Sequence, residues 1–184
     1  MFRAILFTVY ACGYRPRCAL EVSDSSENRL AKIERIIQDS KFGIHDISFT
    51  NIDQTTKLPR FNMPFELGMF FAAKHFGSGR QKEKIALVLD KRAFRYRESL
   101  SDISGQDISV HNRTLKIAIR QIRDWLDTCQ RGKNSLSGGD HVSKQYLKFS
   151  RQLPSASKKL RLNAAELTYP DICRAAESWL KDNN

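Results

Sequence analysis

The run Ile85-Ala-Leu-Val-Leu89 does most to narrow the folds open to this chain. An unbroken apolar run bounded by polar residues predicts a strand buried on both faces, which is typical of parallel sheets in α/β proteins. Phe42 to Ile47 is a second apolar segment, interrupted by His45-Asp46. In Arg17 to Val22, the inward candidates Cys18, Leu20 and Val22 stand at every second position, which predicts a third, short strand.

Helical patterns separate and follow these segments. Asp24-Ser-Ser-Glu27 resembles a capping box before the second helix, and Thr168-Tyr-Pro-Asp171 precedes the last one. The apolar residues recur at helical spacing over Phe2 to Tyr10, Leu30 to Ile37, Leu67 to Lys74, Leu115 to Cys129, Val142 to Leu153 and Ile172 to Leu180. Alternation of this kind predicts a doubly wound, mostly parallel sheet with helices on both faces and a small helical C-terminal appendage.

The composition limits the domain organisation and the setting of the chain. Gly132 to Gly139 has the composition of a linker, so we expect an α/β domain over 1–130, a linker over 131–140 and a helical appendage over 141–184. No apolar run reaches the roughly 20 residues that span a bilayer, and no cleavage site follows the apolar start. The four cysteines form no C-x-x-C pair, which predicts reduced thiols, no metal site and a cytoplasmic protein.

The basic excess is the strongest bias in the composition. The chain has 31 Lys and Arg against 20 Asp and Glu, a net charge of +11. Its cations are scattered, with no run of five and no nucleic-acid-binding signature. A solvated basic face therefore competes with a phosphate-bearing ligand or a nucleic acid. A basic nucleic-acid-associated protein stays open as a third alternative, although we do not expect nucleic acid or a membrane as a partner.

Two acidic residues stand where a doubly wound sheet binds its ligands, at the carboxyl ends of the strands. Asp46 ends the Phe42 to Ile47 strand, and Glu66 is expected in the first turn of the next helix, where the helix dipole would keep it ionised. Ionised carboxylates can stabilise or attack an oxocarbenium-like sugar. The pattern predicts that Asp46, Asn62 and Glu66 converge on one cleft, although Glu66 could face solvent and Asp46 could cap the next turn.

The segments Gly43-Ile-His-Asp-Ile-Ser48 and Arg60-Phe-Asn-Met-Pro-Phe-Glu-Leu-Gly68 resemble the core of the nucleoside 2-deoxyribosyltransferase and TIR-domain group. Cys12 to Glu21 is also similar to bacterial TIR-like proteins, so the resemblance covers roughly 1–130. It implies a flavodoxin-like fold, a catalytic glutamate at Glu66 and a substrate-holding aspartate at Asp46. It further implies cleavage or exchange of an N-glycosidic bond in a nucleoside or nucleotide, with NAD as a candidate substrate and no other cofactor.

The resemblance also suggests a role in bacterial defence or signalling. TIR domains often act by assembling, so a homo-oligomer and a non-catalytic nucleotide-binding or interaction module stay open. The group's domains normally open with a central strand, whereas this chain opens with the helical pattern Phe2 to Tyr10. Either the natural protein is longer, or the sheet lacks a middle strand, or these residues themselves form that strand.

Further substrate-binding candidates each have a structural alternative. Asn62 could bind a ribose hydroxyl or cap its helix, and Arg60 could bind a phosphate or form a local salt bridge. His45 could contact the substrate or lie in the core. The segment Ser101 to Asp107 could present hydroxyl and carboxylate groups to the ligand or form a tight turn; its candidates, with the weaker candidate that follows the first strand, are Asp102, Ser104, Asp107 and Glu21.

Overall fold

The computed structural model describes residues 1–50, 57–130 and 135–183. Residues 51–56 of the predicted loop after Ile47 and residues 131–134 of the predicted linker lie outside the described residues. Within the described residues the chain forms six α-helices and three β-strands. In chain order these are α1 (Phe2–Ala11), α2 (Arg29–Asp39), β1 (Phe42–Asp46), α3 (Asn62–Phe76), β2 (Ile85–Asp90), β3 (Ile108–Val110), α4 (Leu115–Cys129), α5 (Gly139–Lys159) and α6 (Tyr169–Asn183).

Contacts divide the chain into two compact units. The α/β unit is Arg17–Arg113, and the helical unit combines Met1–Pro16 with Thr114–Asn184. This grouping puts α1 and α4 with the C-terminal helices, whereas the sequence predicts them in a domain over 1–130. The grouping does not test which segments fold alone, so the predicted division stays a prediction.

The α/β unit is built on a parallel sheet whose described strands have the order β1-β2-β3. Ile44 pairs with Leu87, and Val88 pairs with Ile108. Three short 3-10 helices, Gly79–Glu83, Arg95–Glu98 and Ser101–Ile103, flank β2 and β3. The predicted α/β class with a parallel sheet is confirmed, and the arrangement is consistent with a flavodoxin-like fold.

The helical unit buries an aromatic core. The Phe7 ring lies 5.0 Å from the Phe149 ring and 5.6 Å from the Tyr146 ring, measured between centroids. Apolar residues from all four helices complete this core: Ala4, Ile119, Val142, Leu153, Ala176 and Leu180. The prediction of a helix over Phe2 to Tyr10 is confirmed, and the alternative of a strand there is wrong.

Two local predictions are wrong. Arg17 to Val22 is not a strand: Leu20 and Val22 are 58% and 53% exposed, and a salt bridge of 2.6 Å between Arg17 and Glu21 holds a turn instead. Asp24 does not cap α2, because its carboxylate bonds to Ser26 while the Asn28 side chain accepts the amide hydrogens that open the helix. The strand β3 was not predicted from the sequence.

No described helix has the length and the apolar character that crossing a membrane requires. All four cysteines are free thiols, of which Cys12 and Cys173 are buried.

Candidate functional site

The carboxyl edge of the sheet collects polar side chains from all three described strands. β1 and β2 each end in an aspartate, Asp46 and Asp90, and β3 is followed directly by His111. Because parallel strands end at the same edge, chain segments that are distant in sequence meet there.

The buried ion pair of Asp90 and Arg95 lies at the end of β2, and Arg95 also binds the loop that follows β1. Asp90 is fully buried, and its Oδ1 accepts a hydrogen bond of 2.9 Å from Nε of Arg95. The same guanidinium donates to the Thr50 hydroxyl and to the Ile47 carbonyl, both at 2.6 Å. Because these guanidinium N–H groups are already bound to the protein, the role of Arg95 is to stabilise the carboxyl edge of the sheet.

Asp46, Ser48 and His111 form a second cluster at this edge. The Ser48 backbone N–H donates to Asp46 Oδ1 at 3.0 Å, and the Ser48 hydroxyl lies 2.9 Å from Nε2 of His111. Nε2 also lies 3.5 Å from Asp46 Oδ1. The Arg113 backbone N–H donates to His111 Nδ1 at 3.0 Å, so Nδ1 is the acceptor and the neutral ring carries its proton on Nε2.

That tautomer excludes a serine nucleophile activated by His111. A histidine that takes the proton of a serine hydroxyl needs a free lone pair on the nitrogen facing it. Here Nε2 faces Ser48 with its proton, so it donates towards the hydroxyl and the Asp46 carboxylate. The cluster fixes the orientation of Asp46.

A cationic cleft of about 820 Å³ opens at this edge. Four of its described lining residues are basic and one, Glu98, is acidic and paired with Arg92 at 2.8 Å. The described lining residues are Thr50, Pro59, Phe61, Lys91, Arg92, Arg95, Glu98, Ser99, Asn112 and Arg113. Burial, reinforced by the nearby Arg95 and Arg113 cations, lowers the pKa of the Lys91 ammonium. An anion bound here would relieve that repulsion.

The turn after β3 is held in an unusual backbone conformation. Asn112 and Arg113 have φ angles of 49° and 57°, in the left-handed region that residues with a side chain seldom adopt. Such a conformation persists only where its surroundings enforce it. The bond from the Arg113 N–H to His111 is one such restraint, and it sets the position from which Arg113 joins the cleft lining.

Glu66 occupies a different position from the one its sequence predicts. α3 begins at Asn62, so Glu66 is the fifth residue of the helix and its first turn contains no acidic residue. The expectation that Glu66 lies in the first turn of its helix, beside the positive end of the helix dipole, is therefore wrong. Glu66 is partly buried, and burial raises the pKa of its carboxyl while Arg29 opposes that shift.

The predicted convergence of Asp46, Asn62 and Glu66 stays a prediction. The structure records no hydrogen bond or ion pair that joins any two of these three described residues, and none of them lines the cationic cleft. Asn62 is exposed, as is Arg60, and both are next to Phe61, which does line it. No cap bond from the Asn62 side chain opens the helix, which is capped at Phe61 without a side-chain bond.

His45 lies in the interior of the α/β unit. Its ring packs against Phe70 with centroids 5.4 Å apart, and neither ring nitrogen has a hydrogen-bond partner among the described residues. Burial lowers the pKa of His45 to about 4, so the ring is neutral at physiological pH. These contacts agree with the core alternative.

The remaining candidates lie elsewhere. Ser104 and Asp107 line a smaller cleft of about 410 Å³ together with Phe94 and Arg97. Asp102 is exposed on the 3-10 helix Ser101–Ile103, and the Ser104 hydroxyl donates to the Ser101 carbonyl. Glu21 is bound to Arg17 in the turn described above.

Sequence reasoning missed most of the cleft. Asp90-Lys91 directly follows the clearest strand, so the strand-end rule that selected Asp46 would have selected them too. His111 and Arg113 follow a strand of three residues that has no visible pattern. Arg95 carried no signal in the sequence, because its partners Ile47 and Thr50 lie more than forty positions earlier in the chain.

No family model matches the chain, and no curated protein or solved structure matches it either. Among the described residues no group of three or more His, Cys, Asp or Glu side chains is arranged to hold a metal ion.

Proposed function

We propose that this chain is a nucleotide-processing enzyme that binds the phosphate of its substrate in the cationic cleft and cleaves or exchanges the N-glycosidic bond. The main support for this proposal is the cleft. It is lined by Lys91, Arg92 and Arg113 and lies at the carboxyl edge of a parallel sheet, where α/β domains bind their ligands. Ammonium and guanidinium groups are the usual partners of phosphate oxygens.

The cleft also offers surfaces for the rest of a nucleotide. Phe61 and Pro59 provide apolar area against which a base can pack, and Asn112, Ser99 and Thr50 provide polar groups for a sugar. Its volume of about 820 Å³ lies within the range of small-molecule sites. NAD is one candidate substrate, and nucleoside monophosphates are others.

The catalytic roles follow the resemblance. Glu66 supplies the carboxylate that attacks or stabilises the sugar cation, and Asp46 holds the substrate. One observation supports the role of Asp46: the Ser48 N–H donates to its carboxylate and Nε2 of His111 lies 3.5 Å from it, so its orientation is fixed. The role of Glu66 follows from the resemblance alone, since burial raises the pKa of its carboxyl.

A base-release assay tests the chemistry. The purified chain is incubated with NAD, nucleoside monophosphates and deoxynucleosides, and chromatography measures the free base. We expect release by the wild type, and a loss of about 100-fold or more in Glu66→Gln. Glu166→Gln, which removes an exposed acid from the helical unit, is the matched control and should keep full activity. Full turnover by Glu66→Gln would remove Glu66 from the reaction.

Calorimetry tests the binding half separately. Replacing Lys91 or Arg113 with Gln should weaken nucleotide binding by about 10-fold, because each variant loses a charge-assisted hydrogen bond. Arg80→Gln removes an exposed cation from the 3-10 helix Gly79–Glu83 and should have no effect. An equal loss in all three variants would contradict a specific site.

A non-catalytic nucleotide-binding module is the second candidate. It is favoured by the cleft lining, in which the single described carboxylate, Glu98, is already paired with Arg92. Nucleotide binding that depends on Lys91 and Arg113 without any base release by the wild type would establish this alternative over the enzyme.

A further inference from the structure

The long helix α5 presents one face whose charges are all positive beyond its first turn, where Asp140 lies. Five exposed cations lie within a narrow arc along the helix, on the side opposite its buried residues Val142, Tyr146, Phe149 and Leu153. We define this α5 stripe as Lys144, Lys148, Arg151, Lys158 and Lys159. At 1.5 Å per residue it extends over about 22 Å.

The stripe differs from the exposed face of α6. There, Lys181 pairs with Glu177 at 3.1 Å and Arg174 pairs with Asp171 at 2.6 Å. A solvated helix face usually interleaves its charges in this way, because oppositely charged side chains four residues apart attract each other.

The cations of the stripe repel one another instead. Lys144 and Lys148 are four residues apart, and Lys148 and Arg151 are three apart, which are the spacings at which like charges destabilise a helix. The single acidic residue of α5, Asp140, stands at its start and is bound to Lys116 at 3.1 Å. The described residues provide no ion-pair partner for Arg151, Lys158 or Lys159. A polyanion laid along the helix would remove this repulsion.

We infer that the α5 stripe binds the phosphate backbone of a nucleic-acid duplex, a function separate from the proposed nucleotide chemistry. A duplex carries about one charge per 1.7 Å of its axis, so about 13 phosphates lie along the length of the stripe. The five stripe residues include no aromatic side chain, and the neighbouring Trp179 ring packs against Phe7 and Phe149 and lies 5.7 Å from the Lys148 ammonium. This arrangement disfavours the stacking of unpaired bases and hence a single strand. The apolar face that a membrane-bound helix needs is buried in the core of the helical unit.

This inference departs from the sequence-based expectation of no nucleic-acid partner. That expectation rested on the absence of a run of five basic residues and of a nucleic-acid-binding signature, and it left a nucleic-acid-associated protein as a third alternative. A helix brings residues three and four apart onto one face, so it builds a cationic surface from charges that look scattered along the chain.

Fluorescence anisotropy with a labelled duplex of about 20 base pairs tests the inference. DNA and RNA duplexes are measured in parallel, since both present this backbone. We expect binding whose affinity falls by about 100-fold between about 50 mM and about 200 mM salt, as the release of counterions from about four phosphates requires. The variant Lys144→Gln/Arg151→Gln/Lys158→Gln should bind at least about 10-fold more weakly, and its log–log salt slope should be smaller by about 3.

Two further variants make the result specific. Lys41→Gln/Arg80→Gln/Lys82→Gln removes the same formal charge from exposed positions of the α/β unit and should bind like the wild type. Lys144→Arg/Lys158→Arg/Lys159→Arg keeps the charge of the stripe and should also bind normally. Base release should be unchanged in the stripe variant, so failure of this inference is distinguishable from failure of the proposed function.

Four results would overturn the inference. They are no binding of either duplex at about 50 mM salt, equal weakening in the α/β control, tighter binding of a single strand of the same length, and preferential binding to vesicles containing about 30% phosphatidylserine. Circular dichroism confirms that each variant is folded before it is scored.

Discussion

The two units bury different kinds of side chain. The helical unit has an aromatic and aliphatic interior, and buried hydroxyls such as Thr8 and Ser157 donate to carbonyls of their own helices at 2.7 and 2.8 Å. The α/β unit buries ionisable groups instead, among them Asp90, Arg95 and His45. Burial of such groups costs free energy unless each finds a partner. The stability of the α/β unit therefore depends on the partners of its buried ionisable groups.

Buried charge is not by itself a sign of function. Lys84 is buried near the opposite edge of the sheet, where it donates to the carbonyls of Ile37 and Ser40 at the end of α2. A cation at a helix C-terminus satisfies carbonyls that have no partner within the helix. Arg95 differs from Lys84 because it borders a cleft lined by further cations.

The largest difference between the units should appear when a cation is removed from each. Arg95→Met leaves Asp90 buried without its partner and should lower the free energy of unfolding by about 3–5 kcal/mol. Arg174→Met, which breaks an exposed pair with Asp171 on α6, should cost about 1 kcal/mol or less. Urea denaturation followed by circular dichroism measures both. Equal costs would show that the Asp90–Arg95 pair is no more important than a surface pair.

Acid should affect the α/β unit through His45. The pKa of His45 is about 4 in the folded state against an ordinary value of 6.5, so the unfolded chain binds more protons between these pH values. Folding stability should therefore fall as the pH drops from 6.5 towards 4, by up to about 3 kcal/mol.

His45→Leu tests this by removing the titrating ring from the core. The stability of the variant should change less with pH over that window than the stability of the wild type. His141→Gln, at an exposed position of α5, is the control and should keep the wild-type dependence. Identical pH profiles for wild type and His45→Leu would assign the acid sensitivity to other groups.

Burial determined which parts of the fold the sequence could predict. The strand predicted over Ile85 to Leu89 and the helix predicted over Leu115 to Cys129 are correct, because buried positions impose a periodicity on the residues that fill them. The strand prediction over Arg17 to Val22 is wrong because the alternating side chains there are exposed. β3 was missed because three half-buried residues are too few to show a pattern.

The sequence could predict a site residue only where that residue lies directly at the end of a recognisable strand. Asp46 follows from its position after β1, but Arg95 depends on carbonyl and hydroxyl groups from Ile47 and Thr50, more than forty positions earlier in the chain. Such a pairing leaves no local signature. The same holds for Arg113, because the strand before it, β3, has only three residues and no visible pattern. Lys91 differs, because it directly follows β2.

The smallest expected effect concerns the helix caps, where the two units should behave alike. Thr168 and Asp171 bond reciprocally at the start of α6, with the Thr168 hydroxyl donating to the Asp171 carboxylate at 2.6 Å. In the α/β unit, Asn28 accepts from the Leu30 N–H at 2.8 Å. Thr168→Ala and Asn28→Ala should each cost about 1 kcal/mol, because both caps are exposed and each satisfies amide hydrogens at a helix start.

The cap variants test whether the difference between the units is confined to their interiors. Both tryptophans, Trp125 and Trp179, belong to the helical unit, so their fluorescence follows that unit, and hydrogen exchange of the β2 amides follows the other. Similar losses of unfolding free energy in the two variants would show that the units differ in the side chains that they bury and not in their helix caps. A loss several times larger for Asn28→Ala would mean that the α/β unit is also weaker at its surface, and that its buried charges are not the whole of the difference.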